Sequence, residues 1–268
     1  MRKIFTLFLA LVILAGCSTE IESFLETEPV SGVISLYSDE GLENESQTPR
    51  VSRTAVSAEE SLTYTFEAWT RDSNPECVLH KTVNGTLTGA AIEIRLVPGN
   101  YDFLFWADYG KAYYTTDNLR HVGAIMNNEN GALTYTPGKQ RDAFACVKSN
   151  VNWNGGNGLS VKLSRPVAKL MIKNNKQFIE AGKKVSAIYR NVPTEYDVLT
   201  GKASVPETVE LTFPQTTAGT EIAGEDFIFV PSEGYSIDLT IEVGDVKKYL
   251  DVLTVKPNFM TCVTAAWE

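Results

Sequence analysis

Hydrophobic and polar residues alternate over short runs along most of the chain from residue 61 onward. Ile92, Ile94 and Leu96 alternate with charged residues, and the segment 237–243 shows the same pattern. A period of two places successive side chains on opposite faces of a β-strand, so these runs predict strands with one buried face. We find no long run with the 3.6-residue period and the capping residues of an α-helix. The pattern therefore predicts an all-β fold.

A second kind of segment is apolar on both faces and predicts a central strand. Residues 101–106 are apolar except for Asp102, as expected of a strand that is covered on both sides. The segment 154–158 consists of glycine and asparagine, and it predicts a tight turn or a border between domains. Several short strands on each side of this break favour two β-sandwich domains in tandem, over residues 61–158 and 159–268.

The first residues have the pattern of a bacterial lipoprotein signal. Arg2 and Lys3 precede an uncharged run, residues 4–15, which has the length of a signal peptide and is too short to span a bilayer of about 30 Å as a helix. Leu14-Ala15-Gly16-Cys17 has the small-residue pattern of a lipoprotein processing site. We predict a signal peptide over residues 1–16 and, after its removal, a Cys17 that carries acyl chains such as palmitate and anchors the protein in membrane lipid.

The segment that follows, residues 17–60, is polar and predicts a flexible tether. Four glutamates between residues 20 and 28 resemble the acidic export tag of surface-exposed lipoproteins, which favours the outer leaflet of the outer membrane. A solvated linker has the same composition, and the two interpretations are compatible. One apolar segment, residues 30–37, stands alone in the tether and predicts a single isolated strand.

The charge balance of the chain excludes one class of partner. The 24 basic and 33 acidic residues give a net charge of −9, and removal of Arg2 and Lys3 with the signal lowers it by two, to −11. An acidic surface repels phosphate backbones, so we predict no binding to nucleic acid.

Three cysteines remain once Cys17 is assigned to lipid, namely Cys77, Cys146 and Cys262. None of them has the Cys-x-x-Cys spacing, so the sequence supports neither a zinc site nor a thioredoxin-like redox site. At most one intramolecular pair can form among three cysteines, and the sequence leaves that pairing open. We expect these cysteines to be small buried hydrophobic residues.

Catalytic signatures are missing from the sequence. The two histidines, His80 and His121, cannot form a His-Glu-x-x-His zinc motif, and no Gly-x-Ser-x-Gly motif is present. We therefore predict a protein that is not an enzyme and that uses neither a cofactor nor a metal.

Several aromatic residues form a candidate binding surface. Trp69, Tyr109, Tyr113 and Tyr114 could together stack against the rings of a glycan. Packing in the core explains paired tyrosines with fewer assumptions, and the sequence leaves both interpretations open.

Four motifs, taken in their order and spacing, resemble the fimbrillin-like lipoproteins of type V pili, and the resemblance covers nearly the whole chain. The motifs are Leu96-Val-Pro-Gly-Asn-Tyr-Asp-Phe-Leu-Phe-Trp-Ala107, Leu163-Ser-Arg-Pro-Val-Ala-Lys-Leu-Met-Ile172, Tyr189-Arg-Asn-Val-Pro-Thr-Glu-Tyr-Asp-Val-Leu-Thr-Gly201 and Pro257-Asn-Phe-Met-Thr-Cys-Val263.

The resemblance implies a fold and a mode of assembly. It implies two transthyretin-like or immunoglobulin-like sandwiches, and in true pilins a proteolytic cut after an arginine, here Arg50 or Arg53. The cut removes the first strand, and an extended strand from another subunit then fills the open groove. A donor strand would come from 249–255 or 259–267. By this resemblance, the apolar residues of the displaced strand are Val30, Val33, Ile34 and Leu36.

The resemblance leaves the biological role open between two kinds of protein. The first is a structural or accessory subunit of a fimbrium that acts in adhesion, with other fimbrillin subunits or host-surface ligands as partners. The second is a stand-alone surface lipoprotein that binds glycans through exposed aromatic residues.

Overall fold

The described part of the protein is built almost wholly from β-strands. The computed structural model describes residues 28–39, 41, 43–44, 60–110, 112–175 and 179–267. Within these ranges the helical content is a single 3₁₀ turn, Lys139–Arg141. The structure therefore confirms the all-β prediction. The signal peptide with Cys17, and the candidate processing residues Arg50 and Arg53, lie outside the described residues.

The strands before the 3₁₀ turn include four short ones between residues 114 and 134, where the chain forms an elaborated connection. Within the described residues, the strands that precede the turn are β1 (Val30–Ser38), β2 (Glu43–Asn44), β3 (Ser61–Thr70), β4 (Cys77–Thr86), β5 (Ala90–Leu96), β6 (Gly99–Asp108), β7 (Tyr114–Thr115), β8 (Val122–Ala124), β9 (Asn127–Glu129) and β10 (Ala132–Thr134).

The strands after the turn are longer and follow one another closely. They are β11 (Ala143–Trp153), β12 (Gly156–Leu163), β13 (Val167–Asn174), β14 (Val185–Asp197), β15 (Lys202–Phe213), β16 (Ile222–Phe229), β17 (Tyr235–Val243), β18 (Val246–Val255) and β19 (Phe259–Ala265).

The first sandwich consists of a three-stranded sheet, in the order β12–β1–β5, and a four-stranded sheet, in the order β11–β6–β3–β4. Their facing side chains form one core. Ile92, Ile94 and Leu96 of β5 point into it, while the residues between them are exposed. The alternation in the sequence thus gives the orientation of this strand correctly, because apolar side chains on one face are removed from water together.

The second sandwich consists of a larger sheet, in the order β18–β17–β14–β15–β10–β9, and a four-stranded sheet, in the order β16–β13–β19–β2. The short strand β8 pairs with β14, and β7 pairs with β8. The predicted inward face of β17 is buried, since Ile237, Leu239, Ile241 and Val243 are at most 2% exposed.

A third apolar cluster joins the two sandwiches. Phe103 and Phe105 of β6 point into the core of the first sandwich, whereas Leu104 and Trp106 point away from it into this cluster. Phe229 of β16 lies on the other side, with its ring centroid 6.2 Å from that of Trp106. Strand β6 is therefore covered on both faces, and the prediction of a central strand at 101–106 is confirmed.

Two predictions about the organisation of the chain need correction. The segment 30–37 is a strand, but it is not isolated, because β1 is the middle strand of the three-stranded sheet. The predicted domain border at 158/159 falls inside β12, whose Val161 and Leu163 belong to the core of the first sandwich. The change of sandwich comes after Leu163, where β13 begins the second core. The turn between the two sheets of the first sandwich is residues 154–155, and Gly156 already begins β12.

Candidate strand-addition site

The site is the place that β1 occupies in the three-stranded sheet. β1 runs parallel to β12, from Gly32 opposite Gly156 to Ser38 opposite Leu163. On its other side it runs antiparallel to β5, from Val30 opposite Leu96. Loss of β1 would leave unpaired backbone N–H and C=O groups along both neighbouring strands, and such edges bind another strand readily.

The predicted residues of the displaced strand divide between its two faces. Ile34 is 0% exposed and Leu36 is 3% exposed, and both belong to the core of the first sandwich. Val30 is half-buried and packs against that core. Val33 alternates with the inward residues and is half-buried on the opposite face. Burial of Ile34 and Leu36 stabilises the docked strand by roughly 1.5–3 kcal/mol each.

Gly32 occupies a position on β1 where no side chain fits. A Cβ atom on this residue would lie closer than 3.0 Å to the carbonyl oxygen of Gly156 and to two ring carbons of Trp153. The indole of Trp153 is buried and packs edge-on against Phe103, with ring centroids 6.0 Å apart, so it cannot move aside. Its Nε1 atom donates to the carbonyl oxygen of Val30 at 3.4 Å.

Polar contacts fasten the end of β1. The backbone N–H of Asp39 donates to the carbonyl oxygen of Leu163 at 2.8 Å. The ammonium of Lys162 lies 2.5 Å from the Asp39 carboxylate, and this hydrogen bond lowers the pKa of the carboxyl. The Nη1 atom of Arg165 donates to the carbonyl oxygen of Asp39 at 3.1 Å. We call Asp39, Lys162 and Arg165 the strand clamp.

Arg165 connects the strand clamp to both sandwiches. Its Nε atom donates to the carboxylate of Asp142, and its guanidinium lies over the ring of Phe144 at 4.7 Å from the centroid. Its Nη1 atom also lies 3.5 Å from Oδ1 of Asn258, in the loop before β19. Arg165 therefore contacts both the docked strand and the junction of the two domains.

The chain crosses from one sandwich to the other directly after β1. In β2, Glu43 and Asn44 pair in parallel with Phe259 and Met260 of β19. The same N-terminal segment therefore completes a sheet in each sandwich, and it lies before Arg50 and Arg53 in the sequence.

The four aromatic residues of the predicted glycan surface do not lie together. Tyr114 is 2% exposed, and its ring packs against Trp106 and Phe229, so its inclusion in an exposed surface is wrong. Trp69 and Tyr109 are half-buried at opposite ends of the paired strands β3 and β6. The six residues between these ends span about 20 Å, because a strand rises about 3.4 Å per residue. Tyr113 is half-buried near the cluster between the sandwiches.

Two of the three cysteines depart from the expectation of burial. Cys77 and Cys262 are exposed, Cys146 is half-buried, and all three are free thiols. The expectation is wrong for Cys77 and Cys262 because both lie on outward positions of strands that are covered on one face only, and a thiol is small enough to be tolerated there.

Glu67 is a buried polar residue that the sequence analysis missed. Its side chain is 1% exposed and accepts hydrogen bonds from Trp69 Nε1 at 2.7 Å and from the backbone N–H of Leu119 at 3.1 Å. The Nδ1 atom of His80 lies 3.0 Å from its other oxygen. A glutamate in a strand is normally predicted to point outward, so the alternation of polar and apolar residues does not indicate this contact.

Two other kinds of site are absent from the described ranges. No three His, Cys, Asp or Glu side chains there come together in a way that could hold a metal ion. No helix in that part of the chain is long and apolar enough to cross a membrane.

Comparison with known proteins shows a lipoprotein signal and a shared fold. Residues 1–18 match the prokaryotic membrane lipoprotein lipid attachment site, which confirms that the chain carries a lipoprotein signal. A solved structure from Bacteroides thetaiotaomicron, described as a candidate polysaccharide-binding protein of the DUF1812 family, has a TM-score of 0.52 and 10% identity, over 85% of this chain and 80% of that chain. The two proteins share the fold. None of the curated proteins compared with the chain matches it.

Two further solved structures are similar over most of their length. A candidate adhesin from Bacteroides ovatus has a TM-score of 0.49 and 15% identity, over 90% of this chain and 88% of that chain. The tip fimbrial protein Mfa3 from Porphyromonas gingivalis has a TM-score of 0.45 and 12% identity, over 83% of this chain and 81% of that chain. The model of one family matches residues 33–257, and the chain therefore belongs to that family of unknown function, DUF6562.

Proposed function

We propose that this protein is a surface-exposed, lipid-anchored fimbrillin-like protein of the outer membrane, a structural or accessory pilus subunit that acts in adhesion and assembles by β-strand addition. Cys17 would hold the lipid, and the protein would act by binding other subunits or host-surface ligands without catalysis. The observation that carries the proposal is the position of β1, the middle strand of a sheet and the first strand of the described chain.

The position of β1 supports strand addition in two ways. The backbone groups of β5 and β12 that now bond to β1 would accept a strand from another subunit by the same ladder. A cut at Arg50 or Arg53 would leave β1 held only by non-covalent contacts, so that a competing strand could replace it. The donor strand would come from another subunit.

Cleavage by an arginine-specific protease tests this proposal. We expect the full chain, once cut in the presence of the other surface subunits of the same cells, to enter a ladder of subunits on gels of unheated samples. A variant with both Arg50→Gln and Arg53→Gln should stay uncut and monomeric under the same treatment. A cut chain that remains strictly monomeric would refute assembly by strand addition.

N-terminal analysis of the protein taken from cells separates two roles within the proposal. A lipidated Cys17 would identify an anchor subunit or a stand-alone lipoprotein. A start at Val51 or Thr54 would identify a subunit that has lost its first strand.

A second candidate function is glycan binding by a stand-alone surface lipoprotein. It is favoured by the description of the DUF1812 structure, which has the same fold, and by the half-buried ring of Trp69, which lies beneath the guanidinium of Arg120. A stacked and partly exposed indole suits contact with a sugar ring. Affinity electrophoresis on a panel of polysaccharides tests this candidate, with Trp69→Ala as the variant. Equal migration of the protein in gels with and without each glycan would exclude glycan binding.

A further inference from the structure

We infer that the groove between β5 and β12 accepts only a strand with glycine at the position of Gly32 and an acidic residue at the position of Asp39. The fitting partner is an extended peptide segment with the pattern Gly-x-aliphatic-x-aliphatic-x-x-acidic, running parallel to β12. This inference rests on the proposed function, because it specifies the strand that would replace β1. It excludes the two donor segments that the resemblance implied, 249–255 and 259–267, because neither contains a glycine.

The direction and register of the occupant are set by the two walls of the groove. β12 contains a bulge opposite Val33 and Ile34, where the partner residues jump from Asn157 to Leu159. Gly158, the residue that is skipped, has a φ of +125°, a conformation that side chains rarely adopt. A bulge pins the register of its partner strand, so a strand shifted by one residue would place its apolar side chains on the wrong face.

The glycine requirement comes from two groups that cannot move. The carbonyl oxygen of Gly156 belongs to the wall itself, and the indole of Trp153 is 5% exposed and packed against Phe103. Any side chain at position 32 would overlap both groups. The next two inward positions, Ile34 and Leu36, lie in the core and require large aliphatic side chains to fill the same volume.

The acidic requirement comes from the strand clamp. Lys162 and Arg165 both approach Asp39, and Lys162 pairs with its carboxylate. Arg165 has Asp142 as a second partner, whereas the carboxylate of Asp39 is the acceptor for Lys162. A neutral occupant would leave the ammonium of Lys162 unpaired at the end of the groove. Because the Lys162 ammonium is half-exposed, salt screens its attraction to an acidic residue. The preference of the groove for an acidic residue at this position therefore weakens as the salt concentration rises.

The first test uses hydrogen exchange on the full chain. Gly32→Val and Ser35→Val each add the same side chain to β1, but residue 35 is exposed. We expect Gly32→Val to speed exchange in residues 30–38 more than tenfold, while Ser35→Val leaves it within twofold of the wild type. Unchanged exchange in the second sandwich, for example in β17, verifies that the variant is folded. Protection of 30–38 in Gly32→Val equal to that in the wild type would overturn the inference.

The second test measures the binding of peptides that have the sequence of β1. A fluorescent peptide of residues 28–41 should bind to the Gly32→Val chain, whose own strand no longer fits. The same peptide with Gly32→Val should bind at least tenfold more weakly, and a peptide with Asp39→Asn should bind several-fold more weakly at low salt with a smaller salt dependence. A peptide with Ser35→Val is the matched control and should bind like the original. Equal binding of all four peptides would overturn the inference.

These outcomes are independent of pilus assembly. If the peptides bind with the expected selectivity and the cut chain forms no ladder, the inference stands and the proposed assembly fails. If the ladder forms and the peptides bind without selectivity, the assembly stands and the inference fails. Should the Gly32→Val chain not fold, the four peptides are added in excess to the wild-type chain on warming. Only those with glycine at position 32 should then be incorporated, and incorporation of all four would overturn the inference.

Discussion

The Nε atom of Arg165 donates to both carboxylate oxygens of Asp142, at 2.8 and 3.0 Å, and both side chains are buried. Burial raises the pKa of Asp142, and the adjacent guanidinium opposes this rise. The contact lies at the point where the first sandwich passes into the second. Each charge is therefore tolerated in the interior because the other is present.

Removal of one member of this pair should be costly. We expect Asp142→Leu to lower the free energy of unfolding by about 3–5 kcal/mol, because it leaves the Arg165 guanidinium buried without a carboxylate. The double variant Asp142→Leu with Arg165→Met should recover much of that loss, since no unpaired charge remains. Urea denaturation of the wild type and the variants measures these differences.

An exposed ion pair provides the control. Glu242 and Lys247 lie 3.5 Å apart, and each side chain is nearly half exposed. Glu242→Gln should change stability by less than about 1 kcal/mol, because water solvates both charges. Equal costs for Asp142→Leu and Glu242→Gln would contradict the role of burial.

Asp108 should make stability depend on pH in the acidic range. Burial raises its pKa to about 6, although Trp106 Nε1 donates to its carboxylate at 2.7 Å and the Gly110 N–H donates as well. The folded protein then holds a proton that the unfolded chain, with a pKa near 3.8, has already released. This contribution to stability is complete below pH 3.8 and is lost as the pH rises through 6.

Comparison with Asp108→Asn isolates this contribution. The advantage of the wild type over the variant should shrink between pH 4 and pH 6, by up to about 1.4 kcal/mol for each pH unit. Denaturant midpoints at several pH values measure the difference. A constant or growing advantage over this range would contradict the assignment.

Glu67 should hold the connection between β6 and β8 against β3. Glu67→Leu removes the oxygen Oε2 to which Trp69 Nε1 and the backbone N–H of Leu119 both donate, so both donors lose their partner. We expect a loss of about 1–3 kcal/mol and faster hydrogen exchange at the amide of Leu119. Glu210→Leu, at an exposed position of β15, is the control and should change stability by no more than about 0.5 kcal/mol. An unchanged amide of Leu119 would show that Glu67 does not fasten the connection.

Trp106 should couple the two sandwiches. Its side chain is 0% exposed and fills the cluster between them, so Trp106→Ala should cost about 3–5 kcal/mol and speed hydrogen exchange at Phe227 and Phe229 in the second sandwich. Phe103→Ala, on the same strand but facing the first core, should cost a similar amount without affecting those two amides. The same response of both amides in the two variants would argue against coupling through Trp106.

Much of the fold follows from local pattern. The strict alternation at 92–96 and 237–243 identifies strands and their buried faces, because every second side chain of a strand leaves water with its neighbours. The apolar segment 101–106 indicates a strand covered on both sides for the same reason. The pattern cannot place Tyr114, since a tyrosine suits both a core and an exposed surface.

The candidate site depends on contacts between distant segments, which the local pattern does not predict. The alternation in 30–37 is enough to predict a strand, yet its partners β5 and β12 lie far along the chain, and no local feature shows that it is the middle of a sheet. The roles of Gly32 and Asp39 are equally hidden. They arise from Trp153 and Arg165, more than 100 residues away.

The sequence by itself determined the all-β class, the lipoprotein signal that ends at Cys17, and the orientation of the regular strands. These properties depend on the order of side chains along the backbone, which the sequence states directly. Only the tertiary structure decided that β1 completes the first sandwich, that the domain border follows Leu163, and that Asp142 and Arg165 neutralise each other at that border. These properties depend on contacts between distant segments, which form only when the whole chain packs.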